Sequence, residues 1–168
     1  GRIAAAGTVQ ADLLEQLRAL DFFRKKYPKS LGNDFVPTQV LPIFAQREPL
    51  PIADALATAC EHIVLEVAKA MQKVAQHERR QRERYRVLVS GGGALNDYLM
   101  ERLRARCEDA LPCEWLEVSG DTIQYKEALL MALLGALRLM ELPNVPIEAT
   151  GGKAHLSAGG VYLPPKGF

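Results

Sequence analysis

Residues 85–103 read "YRVLVSGGGALNDYLMERL": a short apolar run, a triple glycine, an asparagine and then a helical pattern. The run "RVLVS" (86–90) is rich in branched apolar residues, which predicts a buried strand. After the glycines, Leu99 and Leu103 recur along one helical stripe, and the apolar run "CEWLEV" (113–118) follows. Strand, helix and strand at this spacing predict a right-handed βαβ unit with parallel strands.

The glycine turn admits two interpretations. It lacks the Gly-Lys-Ser/Thr ending of a P-loop, and it is not a GxGxxG dinucleotide turn because Asn96 stands at the third glycine position. Gly91, Gly92 and Gly93 nevertheless follow a predicted parallel strand, where open α/β sheets bind ligands, and glycines let a base or sugar lie against the backbone. The alternative is a tight connection with Asn96 as a helix cap. Composition alone leaves both open.

The segment before residue 51 predicts a helix followed by loops. "DLLEQLRAL" (12–20) has leucines on one stripe and Asp12 near its start, which predicts a short amphipathic helix. The basic and aromatic stretch "FFRKKYPKSLGNDF" (22–35) predicts an ordered loop. Pro37 and Pro42 limit the segment between them to a short helix.

A long helix is predicted from Ile52 to about Arg80, because apolar residues recur at three- and four-residue spacing. Its end carries a run of arginines that suits either a solvated helix C-terminus or a phosphate backbone: Arg79, Arg80, Arg82, Arg84 and Arg86. The chain has 21 basic and 20 acidic residues, so no overall field attracts nucleic acid. The solvated end is favoured, and no nucleic-acid partner is expected.

The last predicted helix, residues 124–142, is apolar almost all round, which predicts burial between layers. Its most apolar part falls short of the roughly 20 residues of a membrane span, so no membrane partner is expected. Glu127 is expected in its first turn, bonded to the helix N-terminus or displayed into a cleft, and the residues alone favour the former. The tail is expected to be irregular, with a short strand at "GVYL" (160–163).

Composition indicates one soluble globular domain, with 168 residues, 48% of them hydrophobic and 24% charged. The cysteines, odd in number and without a CxxC pair, are expected to be small buried hydrophobes in a reducing, cytoplasmic setting: Cys60, Cys107 and Cys113. The histidines show no metal-ligand spacing, so no metal ligand is predicted: His62, His77 and His155. The start lacks the apolar core of a signal peptide.

The predicted sheet is too small for a core of its own. Parallel strands are normally covered on both faces within a larger sheet, and outside the tail the pattern predicts only two strands. Either the tail supplies another strand, or the sheet is completed by polypeptide that this chain lacks.

Several stretches together resemble the carboxy-terminal half of the anhydro-N-acetylmuramic acid kinases. They are "VQADLLEQLRALDFFRKKYPKSLGNDF" (9–35), "ADALATACEHIVLEVAKAM" (53–71), "VLVSGGGALNDYLMERL" (87–103), "KEALLMALLGALRL" (126–139) and "ELPNVPIEATGG" (141–152). The resemblance implies a partial actin-like, ribonuclease H-like ATPase lobe: an α/β fold, helix-rich, with a βαβ unit and an incomplete, mostly parallel sheet. Residues 1–168 would form one domain, divided as 1–50 (helix and Pro-Lys-Ser-x-Gly loop), 51–84 (long helix), 85–142 (βαβα core) and 143–168 (tail).

The resemblance also implies an activity. Members of that family use ATP and a divalent cation, normally Mg²⁺, to phosphorylate anhydro-N-acetylmuramic acid and open its anhydro ring. The product is N-acetylmuramic acid 6-phosphate, an intermediate of peptidoglycan recycling in the cytoplasm. The implied partners are the missing amino-terminal half of the kinase, the sugar and a second copy in a homodimer.

Site residues follow from the same resemblance. Gly91, Gly92, Gly93 and Asn96 would form the turn on the adenosine side of the nucleotide, and Glu127 would contact the sugar. A loop whose contacts stay open would border the cleft through Lys29, Ser30 and Gly32. Leu31 departs from the family's usual Thr, Leu95 from a polar or basic residue, and "ATGG" (149–152) from a Thr-Gly-Ala ending.

The family's phosphate-binding glycine loop and aspartate general base belong to its amino-terminal half, and nothing in this chain matches either. No catalytic residue is therefore expected here, and the isolated chain is predicted to be inactive. The alternative is a non-catalytic binding or interaction module with a degenerate lobe, whose exposed sheet edge pairs with another chain.

Overall fold

The computed structural model describes residues 1–26, 29–47, 49–78 and 82–162. The chain divides into two compact units, Gly1–Val118 and Ser119–Phe168. The first unit has a helical part and a βαβ part. Its elements in chain order are α1 (Arg2–Ala5), α2 (Ala11–Ala19), α3 (Asp21–Arg24), a π-helical turn (Val36–Val40), α4 (Leu41–Ala45), α5 (Ile52–His77), β1 (Tyr85–Leu88), a 3-10 turn (Gly92–Leu95), α6 (Asp97–Glu108) and β2 (Cys113–Leu116).

Helix α2 is the amphipathic helix that its leucine stripe predicts. Leu13 and Leu17 are fully buried, and Asp12 lies in the first turn. The chain entering α2 is tied to α5, because the backbone N–H of Gln10 donates to Thr58 Oγ1 at 2.9 Å. Burial of one leucine face and this hydrogen bond together hold α2 on the long helix.

Helix α5 is the central element of the first unit, and it ends at His77, earlier than the predicted end near Arg80. Glu78 has extended backbone angles (φ −73°, ψ 133°), so the helix cannot continue through it. In the arginine run that follows, Arg79 and Arg80 lie outside the described residues, and Arg82 Nε donates to Glu78 at 2.9 Å.

The main core cluster joins α5 to α6. Val64 and Ala68 pack against Leu103 and Cys107, and partly buried side chains of the same two helices and of β2 surround the cluster. Burial raises the pKa of the Cys107 thiol to about 11, with Cys113 and Glu108 adding to the shift. Cys60 and Cys107 are thus buried, as predicted, while Cys113 is half-buried, and all three are free thiols.

The βαβ prediction is confirmed in its elements and strand direction. Strands β1 and β2 are parallel, in a register that pairs Tyr85 with Cys113 and Leu88 with Leu116, and α6 connects them. The expectation of a buried first strand is wrong, because Leu88 is 59% exposed. Within the described residues the sheet has two strands only.

The second unit contains α7 (Gly120–Leu139) and α8 (Ile147–Thr150). The described part of the tail, up to Tyr162, adds no strand to the sheet: residues 160–162 are irregular, and an antiparallel bridge joins Val145 to Leu156. Leu163, the end of the predicted strand, lies outside the described residues. Asn144 holds the tail, since its Nδ2 donates to Ala158 O at 3.0 Å and its Oδ1 accepts from Ala158 N at 2.7 Å.

Two expectations about α7 are corrected. The helix begins at Gly120, four residues before the predicted 124, because the Ser119 side chain caps it by accepting from the Thr122 N–H at 3.2 Å. The predicted burial is also wrong: α7 has no buried residue, and Leu129 is 68% exposed. In the described part of the chain the tail contacts α7 through Arg138 and Asn144, while Leu129 stays exposed. No helix there is long and apolar enough to cross a membrane.

Candidate functional site

The triple glycine forms an open turn at the carboxyl end of β1. Gly91 has φ +93°, in the region that strongly favours glycine, and the next residues form the 3-10 turn Gly92–Leu95. The turn is closed by hydrogen bonds from Ala94 N to Gly91 O at 3.0 Å and from Asn96 N to Gly93 O at 3.1 Å. It therefore has one defined conformation, for which Gly91 is required.

Gly92 has no comparable internal reason to be glycine. Its φ is not in the positive region, and a Cβ built at Gly92 would meet no atom within 4 Å. A Cβ at Gly91 would likewise meet nothing within 4 Å, so the outer side of the turn is open. This leaves backbone accessible to a flat ligand at the position where open α/β sheets bind them.

Asn96 is the N-cap of α6, as predicted. Its Oδ1 accepts from the Leu99 N–H at 3.1 Å, and the helix then runs from Asp97 to Glu108. The other free N–H groups of the first turn carry the positive end of the helix dipole. The open backbone beside α6 is therefore that of the glycine turn, because Gly1 lies against the helix start near Tyr98 N.

The Pro-Lys-Ser-x-Gly loop is tied down by its lysine. Lys29 Nζ donates to the backbone carbonyl of Phe22 at 3.0 Å and lies 4.4 Å from the centroid of the Phe22 ring and 5.6 Å from that of Phe23. Cation–π attraction adds to the hydrogen bond. Pro28 lies outside the described residues, while Gly32 sits so close to Asp34 Oδ1 that a Cβ would be 2.4 Å from it.

The rings under Lys29 form an aromatic cluster, defined by Phe22, Phe23 and Phe35, with centroids 5.2 to 5.9 Å apart. Phe23 also meets the His62 ring of α5 edge to face, at 4.7 Å between centroids. The loop is therefore anchored on the central helix through this imidazole. Aromatic side chains on both sides of the loop, at 22, 23 and 35, were the sequence signal for such an anchor.

His62 is a buried histidine whose surroundings lower its pKa. It is 8% exposed, and its Nε2 makes no hydrogen bond to any described residue. Burial lowers the pKa of His62; the charge of Glu66 opposes this, and the charges of Arg18 and Lys69 add to it. The sequence predicts no special role for His62, because its contact with Phe23 joins residues far apart in the chain.

Glu127 is exposed on α7, in the second unit, whereas the glycine turn and the Lys29 loop belong to the first. Gly120 begins the helix about two turns before Glu127, so the interpretation of Glu127 as a first-turn acid is wrong. Asp121 and the Ser119 cap occupy that place. The carboxylate of Glu127 is consequently too far along the helix to bond its free N–H groups.

A metal site built by the protein requires several His, Cys, Asp or Glu side chains close together. Within residues 1–26, 29–47, 49–78 and 82–162, no three or more His, Cys, Asp or Glu side chains lie close enough to coordinate an ion. The described residues therefore provide no protein cage for Mg²⁺, and no chemical step is assigned to such an ion here.

Comparison with known proteins gives a consistent result. The family model for anhydro-N-acetylmuramic acid kinase matches residues 1–164. The chain is 34% identical over 167 residues to the anhydro-N-acetylmuramic acid kinase of Salinibacter ruber, covering 98% of this chain and 41% of that protein. It is 34% identical to the Rhodococcus erythropolis kinase (98% and 39%) and 28% identical to that of Aliivibrio fischeri (96% and 42%).

The chain thus spans about two-fifths of the length of the curated relatives it matches. The match runs through both units and includes the glycine turn, the Lys29 loop and Glu127. The helix-rich α/β fold with a small parallel sheet is consistent with a sugar kinase. This chain belongs to the anhydro-N-acetylmuramic acid kinase family.

Proposed function

We propose that this chain is the carboxy-terminal part of an ATP-dependent kinase that phosphorylates anhydro-N-acetylmuramic acid and opens its anhydro ring. It would form part of an actin-like, ribonuclease H-like lobe, acting in peptidoglycan recycling in the cytoplasm. The family match over residues 1–164 carries the proposal, and the open glycine turn gives it a chemical site. The homodimer belongs to the same proposal and is tested by sedimentation.

The glycine turn is proposed to bind the adenosine side of the nucleotide. Bound ATP supplies the phosphoryl group, and the chain's own contribution is to hold that nucleotide in position. The open backbone at Gly91 and Gly92 accommodates a flat base or sugar, and Gly93 continues the turn. Asn96 fixes the start of α6, whose N-terminal dipole favours a nearby phosphate.

Glu127 is proposed to contact the sugar. Its exposed carboxylate lies beyond the free N–H groups at the start of α7, so it is not used as a helix cap. A carboxylate in this position can accept hydrogen bonds from sugar hydroxyls, and charged acceptors make the stronger bonds. The test is Glu127→Gln, which is expected to weaken sugar binding more than ADP binding.

The Lys29 loop is proposed to border the cleft through Lys29, Ser30 and Gly32. In this structure the lysine is held by the Phe22 carbonyl and the aromatic cluster, which gives the loop a fixed base on α5. Anchoring of that kind positions backbone without requiring the ammonium group itself to meet a ligand.

The isolated chain is proposed to be inactive, because no general base or phosphate loop is assigned to it. Two measurements test the proposal: calorimetry with ADP, for the chain alone and mixed with the amino-terminal part of a relative, and phosphorylation of the anhydro sugar with ATP and Mg²⁺. We expect ADP binding, at least in the mixture, and no turnover by the chain alone. Robust turnover by the isolated chain contradicts the partial-kinase proposal.

A non-catalytic interaction module is the second candidate. The observation that favours it is the apolar surface of α7, where Leu129, Met131 and Leu139 are exposed on more than one side of the helix. A module of this kind would bind a protein through that face and would not bind ADP under either condition. The ADP titration therefore separates the two candidates.

A further inference from the structure

A concave surface of the first unit lies where α2, α5 and α6 come together. This surface, called the basic groove below, has a volume of about 240 Å³ and is defined by Arg18, Ala68, Lys69, Gln72, Arg106 and Asp109. None of these residues belongs to the glycine turn, the Lys29 loop or α7. The groove is thus separate from every site residue proposed above.

Charge is unevenly matched in the basic groove. Arg18, Lys69 and Arg106 supply three cations against the single carboxylate of Asp109, and Lys69 has a long ion pair of 3.5 Å with Glu66 on its own helix. Neither Arg18 nor Arg106 makes a hydrogen bond or ion pair with any residue whose position is described. Two guanidinium groups are therefore available to a ligand.

Arg102, one turn earlier on α6, provides a contrast with Arg106. Arg102 donates to Glu61 of α5 through both Nε (3.2 Å) and Nη2 (2.7 Å). Helices α5 and α6 thus pair Arg102 with a carboxylate, whereas Arg106 lines the groove together with Lys69. A helix C-terminus stabilises a cation, which explains each arginine singly but not the convergence of three cations on one concavity.

The positive field reaches into the protein. The charges of Arg18 and Lys69 both lower the pKa of His62, in addition to the larger effect of burial and against the effect of Glu66. Like charges brought together at a surface repel one another, and an anion between them removes that repulsion. The groove therefore has the electrostatics of an anion site.

We propose that the basic groove binds a compact polyanion, such as a diphosphate or a phosphate monoester. The guanidinium groups of Arg18 and Arg106 donate paired hydrogen bonds to phosphate oxygens, for which their planar fork is suited. Lys69 adds a point charge, and the Gln72 amide offers a neutral donor. At about 30 Å³ per water, the volume of the groove equals about eight waters, which leaves room for two phosphate groups.

The test is titration of the full 168-residue chain with inorganic phosphate, pyrophosphate and glucose 6-phosphate, followed by amide NMR shifts and calorimetry. Comparison of the free anions with the sugar phosphate tells whether an anion alone or an ester is recognised. We expect the largest shifts around Ala68, Gln72 and Arg106. Arg18→Gln and Arg106→Gln should each weaken binding by about tenfold, as expected for loss of one charge-assisted bond.

Arg104→Gln is the matched control, because Arg104 lies on the same helix and carries the same charge but stacks over Trp115 at 5.7 Å. Its binding should equal that of the unchanged protein, and thermal unfolding of each variant shows whether the fold is retained. The proposal is overturned by absence of binding at millimolar anion, by equal loss in Arg104→Gln, or by shifts confined to Gly91–Gly93. Shifts at the glycine turn would bear on the nucleotide site proposed above, whereas Arg18→Gln and Arg106→Gln should leave ADP binding unchanged, so the two proposals are judged separately.

Discussion

At the scale of single residues, Gly91 and Gly92 differ in whether the backbone requires a glycine. Gly91 is set by backbone conformation, with φ +93°, whereas Gly92 has ordinary backbone angles and open space around it. Lys29 and His62 are both positioned by aromatic rings: the Lys29 ammonium lies over the Phe22 ring, and the His62 ring is buried against Phe23. Substitution of these residues separates folding from binding.

Gly92→Ala is predicted to weaken ADP binding without affecting the fold. The added methyl group meets no protein atom within 4 Å and needs no positive φ, so the free energy of unfolding should change by less than about 0.5 kcal/mol. Because the methyl group would occupy space proposed for the nucleotide, affinity for ADP should fall by about tenfold. Calorimetry with ADP and denaturant unfolding measure the two effects.

Gly91→Ala is the comparison for that variant, since its backbone angles (φ +93°, ψ 173°) lie in a region essentially restricted to glycine and should cost alanine about 1–3 kcal/mol of stability. Unchanged ADP affinity in Gly92→Ala would show that the glycine turn is only a connector.

His62 is predicted to make stability depend on pH. Its pKa is lowered in the folded protein, so the unfolded chain binds the additional proton more readily. The stability is therefore fully present above the ordinary histidine pKa of about 6.5, and falls as pH drops below it until the lower folded pKa is passed. Denaturant unfolding between pH 7.5 and 5 measures the loss.

His62→Leu should remove that part of the pH dependence, whereas His155→Gln, which changes an exposed histidine, should keep it. An unchanged slope in His62→Leu would assign the pH dependence to other groups.

At the scale of elements, the starts of α6 and α7 each depend on one side chain. Asn96 caps α6 and Ser119 caps α7, each by accepting a backbone N–H three residues ahead. The glycine turn has a defined exit only because α6 begins where Asn96 sets it. Stability of the cap and geometry of the proposed nucleotide turn are therefore linked.

Asn96→Ala is predicted to lower the free energy of unfolding by about 1 kcal/mol, because the Leu99 N–H loses its acceptor. Asn96→Asp should retain most of the stability, since a carboxylate accepts the same bond and favours a helix N-terminus. Thermal and denaturant unfolding compare the variants. Equal stability of all three proteins would mean that water caps the helix equally well.

At the scale of the whole molecule, exposed large apolar side chains are most numerous on α7, and α5 also carries several of them. A helix that is apolar on nearly all sides normally lies inside a protein. The relatives are more than twice as long as the matched region, since the chain covers 41% and 39% of the first two. We infer that these surfaces are packed against further polypeptide in the whole kinase.

Leu129→Ser is predicted to be nearly neutral in this chain, within about 0.5 kcal/mol, because Leu129 is already exposed. Leu103→Ala, in the buried cluster between α5 and α6, should cost about 2–5 kcal/mol. Mixing with the amino-terminal part of a relative should change the ranking, so that Leu129→Ser impairs assembly measured by sedimentation. Assembly that is indifferent to Leu129→Ser would place the α7 face outside the kinase's interior.

The parts of the fold that local pattern determines were predictable. The βαβ unit follows from an apolar run, a glycine turn and a leucine stripe, and the Asn96 cap follows from its place before a helical pattern. The predicted start of α7 is four residues late, because the Ser119 cap precedes the apolar pattern on which the prediction rests. Its exposure could not be inferred, since periodicity reports that a face is apolar but not whether anything covers it.

The candidate site was predictable only in part. The glycines and Asn96 are neighbours in sequence, so their association is local. The anchoring of the Lys29 loop on His62, and the meeting of Arg18, Lys69 and Arg106, depend on helix packing that no single-chain pattern encodes. Which of these residues meet a ligand is a question for the variants above.

The rate at which Cys107 reacts with thiol reagents reports how often α5 and α6 separate. A thiol with a pKa of about 11 has almost no thiolate at neutral pH, and its burial between α5 and α6 excludes alkylating reagents. Its modification therefore requires the two helices to separate, and the labelling rate counts those openings. Any ligand that favours the closed form, at the glycine turn or in the basic groove, should slow the labelling of Cys107 without contacting it.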